Sequence, residues 1–541
     1  MALAQAVEPP TDSSAAQGKT THSIRFWLFM VGAVTAAAGL LFGYDQGVIS
    51  GALDFIKEDF HLSTTLVQVV TSWVALGALV GAATGGWIAD SIGRRRAGML
   101  GGVLFIVGAL IQAFSLDTGM LVLGRFVIGS GVGVASVAAP LYAAEMAPSK
   151  LRGRFVSTYQ LAITMGILFA YIVDAILTRT GNWRLMLGVS AVVGVLLVIG
   201  MFVVPETARW LIRQKRSDEA RQTLEKVRPA ELVDEKLQSI AGEIDEEEVG
   251  RFRELFQPAL RRPLYIGVTL AILQQVTGIN AIIYYADEIF ADAGFTSVEA
   301  QADATLVAVG VVNVLATLIA VAFIDKVGRR PLLFAGLTGM FVALTGAALA
   351  FLFIDPDMHP TGPSVLGIAT MACVVVFIAS FAFSMGPITW TIINEIYPTR
   401  IRGKAVALAT SVNWLGVFLV SQFFLTFVDT VGTSVTFGLF AAMTVLTFLF
   451  VLTKVPETKG YTLEEISGIW ESPAGRRPAP AGGIRGLAVP DSYVTDSLDA
   501  VAERDAVETL ERLGKTPPAR PRGDRRDAAT VEEPGGNGSG G

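Results

Sequence analysis

EMAPSKLRG at residues 145–153 returns as EIYPTRIRG at residues 395–403. Glu145, Pro148, Arg152 and Gly153 in the first copy match Glu395, Pro398, Arg402 and Gly403 at the same spacing, 250 residues on. Two further pairs follow in the same order: VPETARWL from Val204 with VPETKGYTL from Val455, and GWIADSIGRRR ending at Arg96 with VAFIDKVGRRP ending at Pro331. Basic loops can resemble one another by composition alone, but three ordered pairs at near-equal offsets mark an internal duplication. The chain is built as two related halves.

The 541 residues are 52% apolar and 17% charged, with a mean hydropathy of +0.54. That is too apolar for a soluble protein. A helix needs about 20 apolar residues to cross a bilayer. Twelve segments qualify: 25–53, 64–89, 97–116, 119–146, 153–178, 184–205, 262–291, 302–324, 330–354, 364–396, 403–429 and 432–453. The expected fold class is an all-α polytopic membrane protein, with 12 transmembrane helices in two pseudo-symmetric six-helix halves. The division is a tail (1–24), a first half (25–206), a linker with short helices (207–261), a second half (262–454), a motif with a short helix (455–470) and a disordered tail (471–541). Gly278 is expected to break the seventh helix and Gly386-Pro387 the tenth, while Gly124, Gly129, Gly131 and Gly133 allow close packing of the fourth.

Loops after even-numbered helices are basic, as in DSIGRRR (90–96) and DKVGRR (325–330); those after odd-numbered helices are mostly acidic or neutral, Arg179 and Arg184 excepted. The positive-inside rule therefore puts both termini in the cytoplasm, and the expected location is the cell membrane. No early basic cluster precedes an apolar core in residues 1–24, so no cleaved signal is expected. The net charge of −6 sits in loops and tails, and nothing points to nucleic acid. Cys373 has no partner for an intramolecular disulfide and reads as packing. No nucleotide loop, metal cluster or catalytic triad is evident, so neither an enzyme nor a bound cofactor or metal is expected.

Asp45 is the one charge between Phe26 and Leu53. Such a residue costs about 2.5–3.5 kcal/mol to insert at a helix centre. It lies nine residues before Asp54, about 13 Å along the helix, and Arg125 lies eight residues after Asp117, about 12 Å along the fourth. The opposite charges should therefore sit at similar depth and offset each other's burial. A permanent structural ion pair is one reading. A carboxylate that gains and loses a proton as access alternates is the other. His22, His61 and His359 fall in tail or loop, so no histidine relay is expected.

Side-chain amides both donate and accept, which suits a neutral polyhydroxylated ligand, and aromatic faces cover its C–H surface. The membrane segments carry Gln160, Gln274, Gln275, Asn280, Asn313 and Asn413, with Tyr284, Trp390 and Trp414. Each amide alone could equally hold helices together. Their concentration in the second half, opposite Asp45 in the first, points to a ligand site in one half and a proton site in the other.

These motifs, together with GRFVIGSGVG (124–133) and QQVTGINAIIYY (274–285), give a chain that resembles the sugar porters of the major facilitator superfamily over residues 25–470. The resemblance implies the major facilitator fold, alternating access and a monosaccharide ligand. It makes Asp45 the coupling carboxylate and Arg125 its partner, where uncoupled relatives carry an amide. Gln274, Gln275, Asn280 and Tyr284 match the family's seventh-helix sugar motif, and Gln160, Asn313, Gly386, Trp390 and Trp414 resemble its other sugar contacts. Asn413 is shorter than the glutamine of some xylose-type relatives, which puts a xylose assignment in doubt. Phe42 is expected to line the pocket, and Tyr285 and Pro387 to belong to its wall or gate.

Asp90, Arg94, Arg95, Glu145, Arg152, Glu206, Asp325, Arg329, Arg330, Glu395, Arg402 and Glu457 are expected to form a cytoplasmic latch, closed in the outward-facing state and broken in the inward-facing one. A solvated rim is the plainer alternative. Import of one monosaccharide or related polyol with a proton, by a chain acting as a monomer in the lipid bilayer, is the function this adds up to. An uncoupled facilitator and a non-transporting sugar sensor with a signalling tail stay open beside it.

Overall fold

In lipid every backbone polar group must be satisfied internally, which long apolar runs achieve only as helices. The computed structural model forms 12 helices long and apolar enough to cross a membrane, one at each expected place. It describes residues 13–148, 152–246, 252–258, 260–354 and 364–459. The side chains of His22, Arg152 and Asp325, together with His359 and all of 460–541, lie outside the described set. The expected tail and most of the short helix after 455 fall there.

In the first half the spanning helices are Ser13–Asp59, Thr64–Ile92, Arg94–Ala113, Thr118–Met146, Arg152–Leu177 and Trp183–Val203. The first begins well before residue 25, where the tail was expected to end: hydropathy limits the crossing, not the helix, and nothing after Pro10 forces a stop. Polar side chains set other starts. Asp117 accepts the Met120 N–H at 2.9 Å and Asn182 the Leu185 N–H at 3.0 Å, each satisfying a donor left over at a helix N-terminus.

In the second half the seventh helix is broken into Arg261–Val276, Ile279–Tyr284 and Ala286–Asp292. Gly278, at φ +93°, makes the first break as expected, a conformation open to glycine at no steric cost. The eighth runs Val298–Thr305, Leu306–Val311 and Val312–Val327, its middle segment widened to i→i+5 bonding. The ninth is Arg329–Phe353, the eleventh Thr399–Val431 and the twelfth Thr433–Lys454. The tenth breaks at Ser384, between Val365–Phe383 and Met385–Glu395, rather than at Gly386-Pro387. Pro387 has no N–H for the carbonyl four residues earlier and its ring crowds that group, so the disruption falls one turn upstream.

The helices of each half pack through backbone surfaces. A Cβ on Gly129 would lie 1.9 Å from the Val74 carbonyl oxygen of the second helix. Large apolar side chains such as Phe29, Trp87 and Phe202 point outward, as they should toward lipid. Between the halves lie the expected linker helices Ala208–Arg213, Ser217–Val227 and Val233–Glu246, with a small apolar core of their own around Trp210, Leu211 and Leu224.

The duplication persists at atomic detail. Gly93 and Gly328 both take positive φ, +97° and +108°, and each turn is closed by the glutamate of a PET motif. Glu206 accepts the N–H groups of Arg94, Arg95 and Thr207; Glu457 accepts those of Arg329, Arg330, Thr458 and Lys459.

Candidate functional site

Asp45 sits on the first helix and is 3% exposed; Arg125 on the fourth has no exposed surface. The guanidinium donates to the Asp45 carboxylate at 2.8 Å, to the Val70 carbonyl at 3.1 Å and to the Thr71 carbonyl at 3.5 Å. The two charges predicted to be level therefore meet, and the second helix supplies the acceptors that keep the arginine's other donors satisfied. A charge pair so placed is hydrogen-bonded on several sides, which is what permits its burial.

The seventh-helix amides are joined in a chain. Gln274 donates to the Met385 carbonyl at 2.9 Å, Gln275 to Gln274 at 3.2 Å and Asn280 to Gln275 at 2.5 Å. Asn413 of the eleventh helix donates to Gln274 at 2.9 Å and to the Ala271 carbonyl at 3.0 Å. Gln274, Gln275, Asn280 and Asn413 thus form one buried network, pinned to the break in the tenth helix. The Tyr284 hydroxyl is fully buried beside Gln46. Phe42 packs on Trp414 with ring centroids 5.1 Å apart, joining an aromatic of each half. Gly386 is buried, and Pro387 and Trp390 are half-buried, on the lower segment of the tenth helix. Gln160 is half-buried and Asn313 buried; the structure does not bring either into the amide chain.

One residue of this network escaped the sequence reading. Gln46, next to Asp45, donates to Asn280 at 3.0 Å and so carries the amide chain across from the second half to the first. Two buried carboxylates were also not singled out. Asp287 accepts from the Thr305 hydroxyl, and its N–H donates to Ser50 Oγ at 3.1 Å. Asp174 packs against Gly51.

Tyr285 closes the side of the site away from the arginine-rich loops. It donates to the Ser421 carbonyl at 2.8 Å and stacks on Phe424. Toward the same face the halves are bridged by Ser72 to Gln422 at 2.6 Å, by the Gln68 amide with Thr426, and by Lys57 to Glu288 at 3.3 Å.

Among the described residues the arginine-rich face carries ion pairs within each half and one to the linker, Arg213 with Asp90 at 3.9 Å. Arg94 pairs with Asp90 at 2.9 Å and Glu145 at 3.1 Å, and Arg329 with Glu395 at 2.9 Å. Arg95 donates to the Met201 and Phe202 carbonyls, Arg330 to that of Leu452, and Arg402 to that of Tyr397. Burial pushes the Glu206 carboxyl up from its ordinary value despite its N–H donors. At the more exposed Glu457, burial acts in the same direction, but four backbone donors outweigh it and hold the carboxyl below that value.

Two six-helix halves, with a buried ion pair in one and a buried amide network in the other, make up a membrane transporter of the major facilitator type. The description "Sugar (and other) transporter" matches residues 31–470, and the chain belongs to that family; it is a transporter rather than an enzyme. It is 38% identical over 453 residues to the galactose-proton symporter of Escherichia coli K12, covering 83% of this chain and 95% of that one. Against the arabinose-proton symporter of the same strain it is 38% identical over 455 residues, covering 84% and 95%. The proton:xylose symporter XylE bound to 6-bromo-6-deoxy-D-glucose superposes with a TM-score of 0.69 at 30% identity, covering 83% of this chain and all of that one.

Proposed function

We propose that the protein imports a monosaccharide together with a proton by alternating access, with Asp45 as proton carrier and Arg125 as its charge partner. The observation that carries this is the fully buried Asp45–Arg125 pair, linked through consecutive residues to the amide network. The relatives' names, which pair a proton with galactose, arabinose or xylose, support the same reading. Gln274, Gln275, Asn280 and Asn413 bind the hydroxyls, Trp390, Trp414 and Phe42 cover the apolar faces, and Tyr284 offers its hydroxyl. Gln160, Asn313 and Gly386 reach the same ligand from the opposing helices.

With the arginine-rich loops in the cytoplasm, the bridges at Tyr285, Ser72 and Lys57 close the outer side in this conformation. The pairs of Arg94 with Glu145 and of Arg329 with Glu395, each within one half, are intact in it. One proton crossing 100 mV supplies about 2.3 kcal/mol and one pH unit about 1.4 kcal/mol, which together sustain a sugar gradient of roughly several hundredfold. In sealed vesicles Asp45→Asn is expected to abolish uphill accumulation while sugar exchange continues. Undiminished accumulation by that variant would remove Asp45 from the proton path.

A further inference from the structure

Asp45 and Gln46 are neighbours on one turn of the first helix, so their side chains leave it roughly 100° apart. That angle sends them to different halves of the protein. Asp45 meets Arg125 of the fourth helix at 2.8 Å, and Gln46 donates to Asn280 of the seventh at 3.0 Å. A single buried turn is thereby tied both to the proton pair and to the sugar network.

The tie at Asn280 is open to competition. Its amide oxygen accepts from Gln46 and its amide nitrogen donates to Gln275, so one of the two bonds that each atom can make is already made between side chains. A hydroxyl that donates to the Asn280 oxygen from the side where Gln46 lies displaces the Gln46 bond. Asn280 also lies on the six-residue segment Ile279–Tyr284, separated from the rest of its helix by Gly278, which lets it shift without carrying the whole helix.

We propose that Gln46 is the positioning residue that transmits sugar occupancy to the proton site. With the pocket empty, its bond to Asn280 pins the turn and keeps Asp45 on Arg125. A sugar hydroxyl that takes over Asn280 frees the turn, loosens Asp45 from the guanidinium and favours the protonated carboxyl. Sugar and proton then bind together, the order symport requires. The inference rests on the symport reading and adds the residue through which the two sites communicate.

The test uses the full chain in sealed vesicles, with D-galactose, D-xylose, L-arabinose and D-glucose presented singly. Uphill accumulation, sugar-induced proton uptake and sugar exchange at equal concentrations are read side by side. Gln46→Leu removes the donor, and Gln46→Met does so at nearly the native length. Both are expected to accumulate sugar about tenfold less, the worth of one hydrogen bond, with exchange retained. Accumulation at the wild-type level in either variant, or loss of exchange in step with accumulation in both, overturns the proposal. Wild-type uptake without proton movement instead removes the symport reading beneath it, and Asp45→Asn in the same assay separates the two failures.

Discussion

Arg125 Nη1 stands 2.8 Å from Asp45 Oδ1 in a site that neither residue shares with solvent. Removing the arginine alone leaves a buried carboxylate and two backbone carbonyls without their donor. Loss of one member of a buried pair costs about 3–5 kcal/mol. Arg125→Leu should therefore lower the melting temperature of the detergent-purified protein markedly, and the double variant Asp45→Asn/Arg125→Leu should recover much of that loss. Neither should accumulate sugar. A single variant that melts like the wild type would mean that the pair is not buried as described.

The close packing of the second and fourth helices sets a sharper contrast. A Cβ on Gly129 would lie 1.9 Å from the Val74 carbonyl oxygen, whereas one on Gly86 would meet nothing within 4 Å. Both changes add one methyl group to a membrane helix. Gly129→Ala is expected to reduce the yield of monodisperse protein and Gly86→Ala to leave it unchanged. Equal yields, judged by size-exclusion chromatography, would contradict the packing.

Both the architecture and the charge pair could be read from the sequence, because they depend on hydropathy, on motif spacing and on a helical rise that is the same in every helix. Asp45 and Arg125 are level by counting residues from the helix ends. Gln46 was invisible for a matching reason: whether it faces lipid, its own half or the other half depends on how the first helix is rotated, and no count of residues fixes that rotation. Gln160 and Asn313 read as ligand contacts by type and lie outside the hydrogen-bonded chain of the seventh, eleventh and first helices, because side-chain type says what a residue can bind and not which neighbours it bonds. The break in the tenth helix was found by its proline but displaced to Ser384, since proline acts on the carbonyl a turn before it.

Acid should act oppositely on the two PET glutamates. Glu457 has its folded-state pKa held below the ordinary 4.5. The unfolded chain takes up the proton first, so the stability this residue contributes is present above 4.5 and is lost as pH falls through its folded value. For Glu206 the folded-state pKa lies above 4.5; its contribution is largest below 4.5 and is lost as pH rises through the folded value. Glu457→Gln should therefore flatten the acid-side fall in melting temperature, and Glu206→Gln should flatten the decline above 4.5. Melting curves taken from pH 3 to 7 check this, and a change of the same sign in both variants would refute the assignment.

Gln274 is the hub of the amide network. Its oxygen accepts from Gln275 and Asn413, and its nitrogen donates to the Met385 carbonyl at the break in the tenth helix. Asn413 keeps a second acceptor in the Ala271 carbonyl, so replacing Gln274 with leucine deprives chiefly Gln275 and Met385 of partners. An unsatisfied buried group costs about 1–3 kcal/mol, and the pocket also loses the alignment of the amides on either side. Gln274→Leu should thus weaken sugar binding by roughly tenfold or more. The readout is sugar-dependent quenching of tryptophan fluorescence, since Trp390 and Trp414 lie on the helices that frame the network. Gln274→Glu separates shape from chemistry: it keeps the acceptor for Gln275 and Asn413 but sets an oxygen against the Met385 carbonyl. If sugar binds through the second-half amides, both variants lose affinity. Unchanged quenching in both would place the sugar elsewhere.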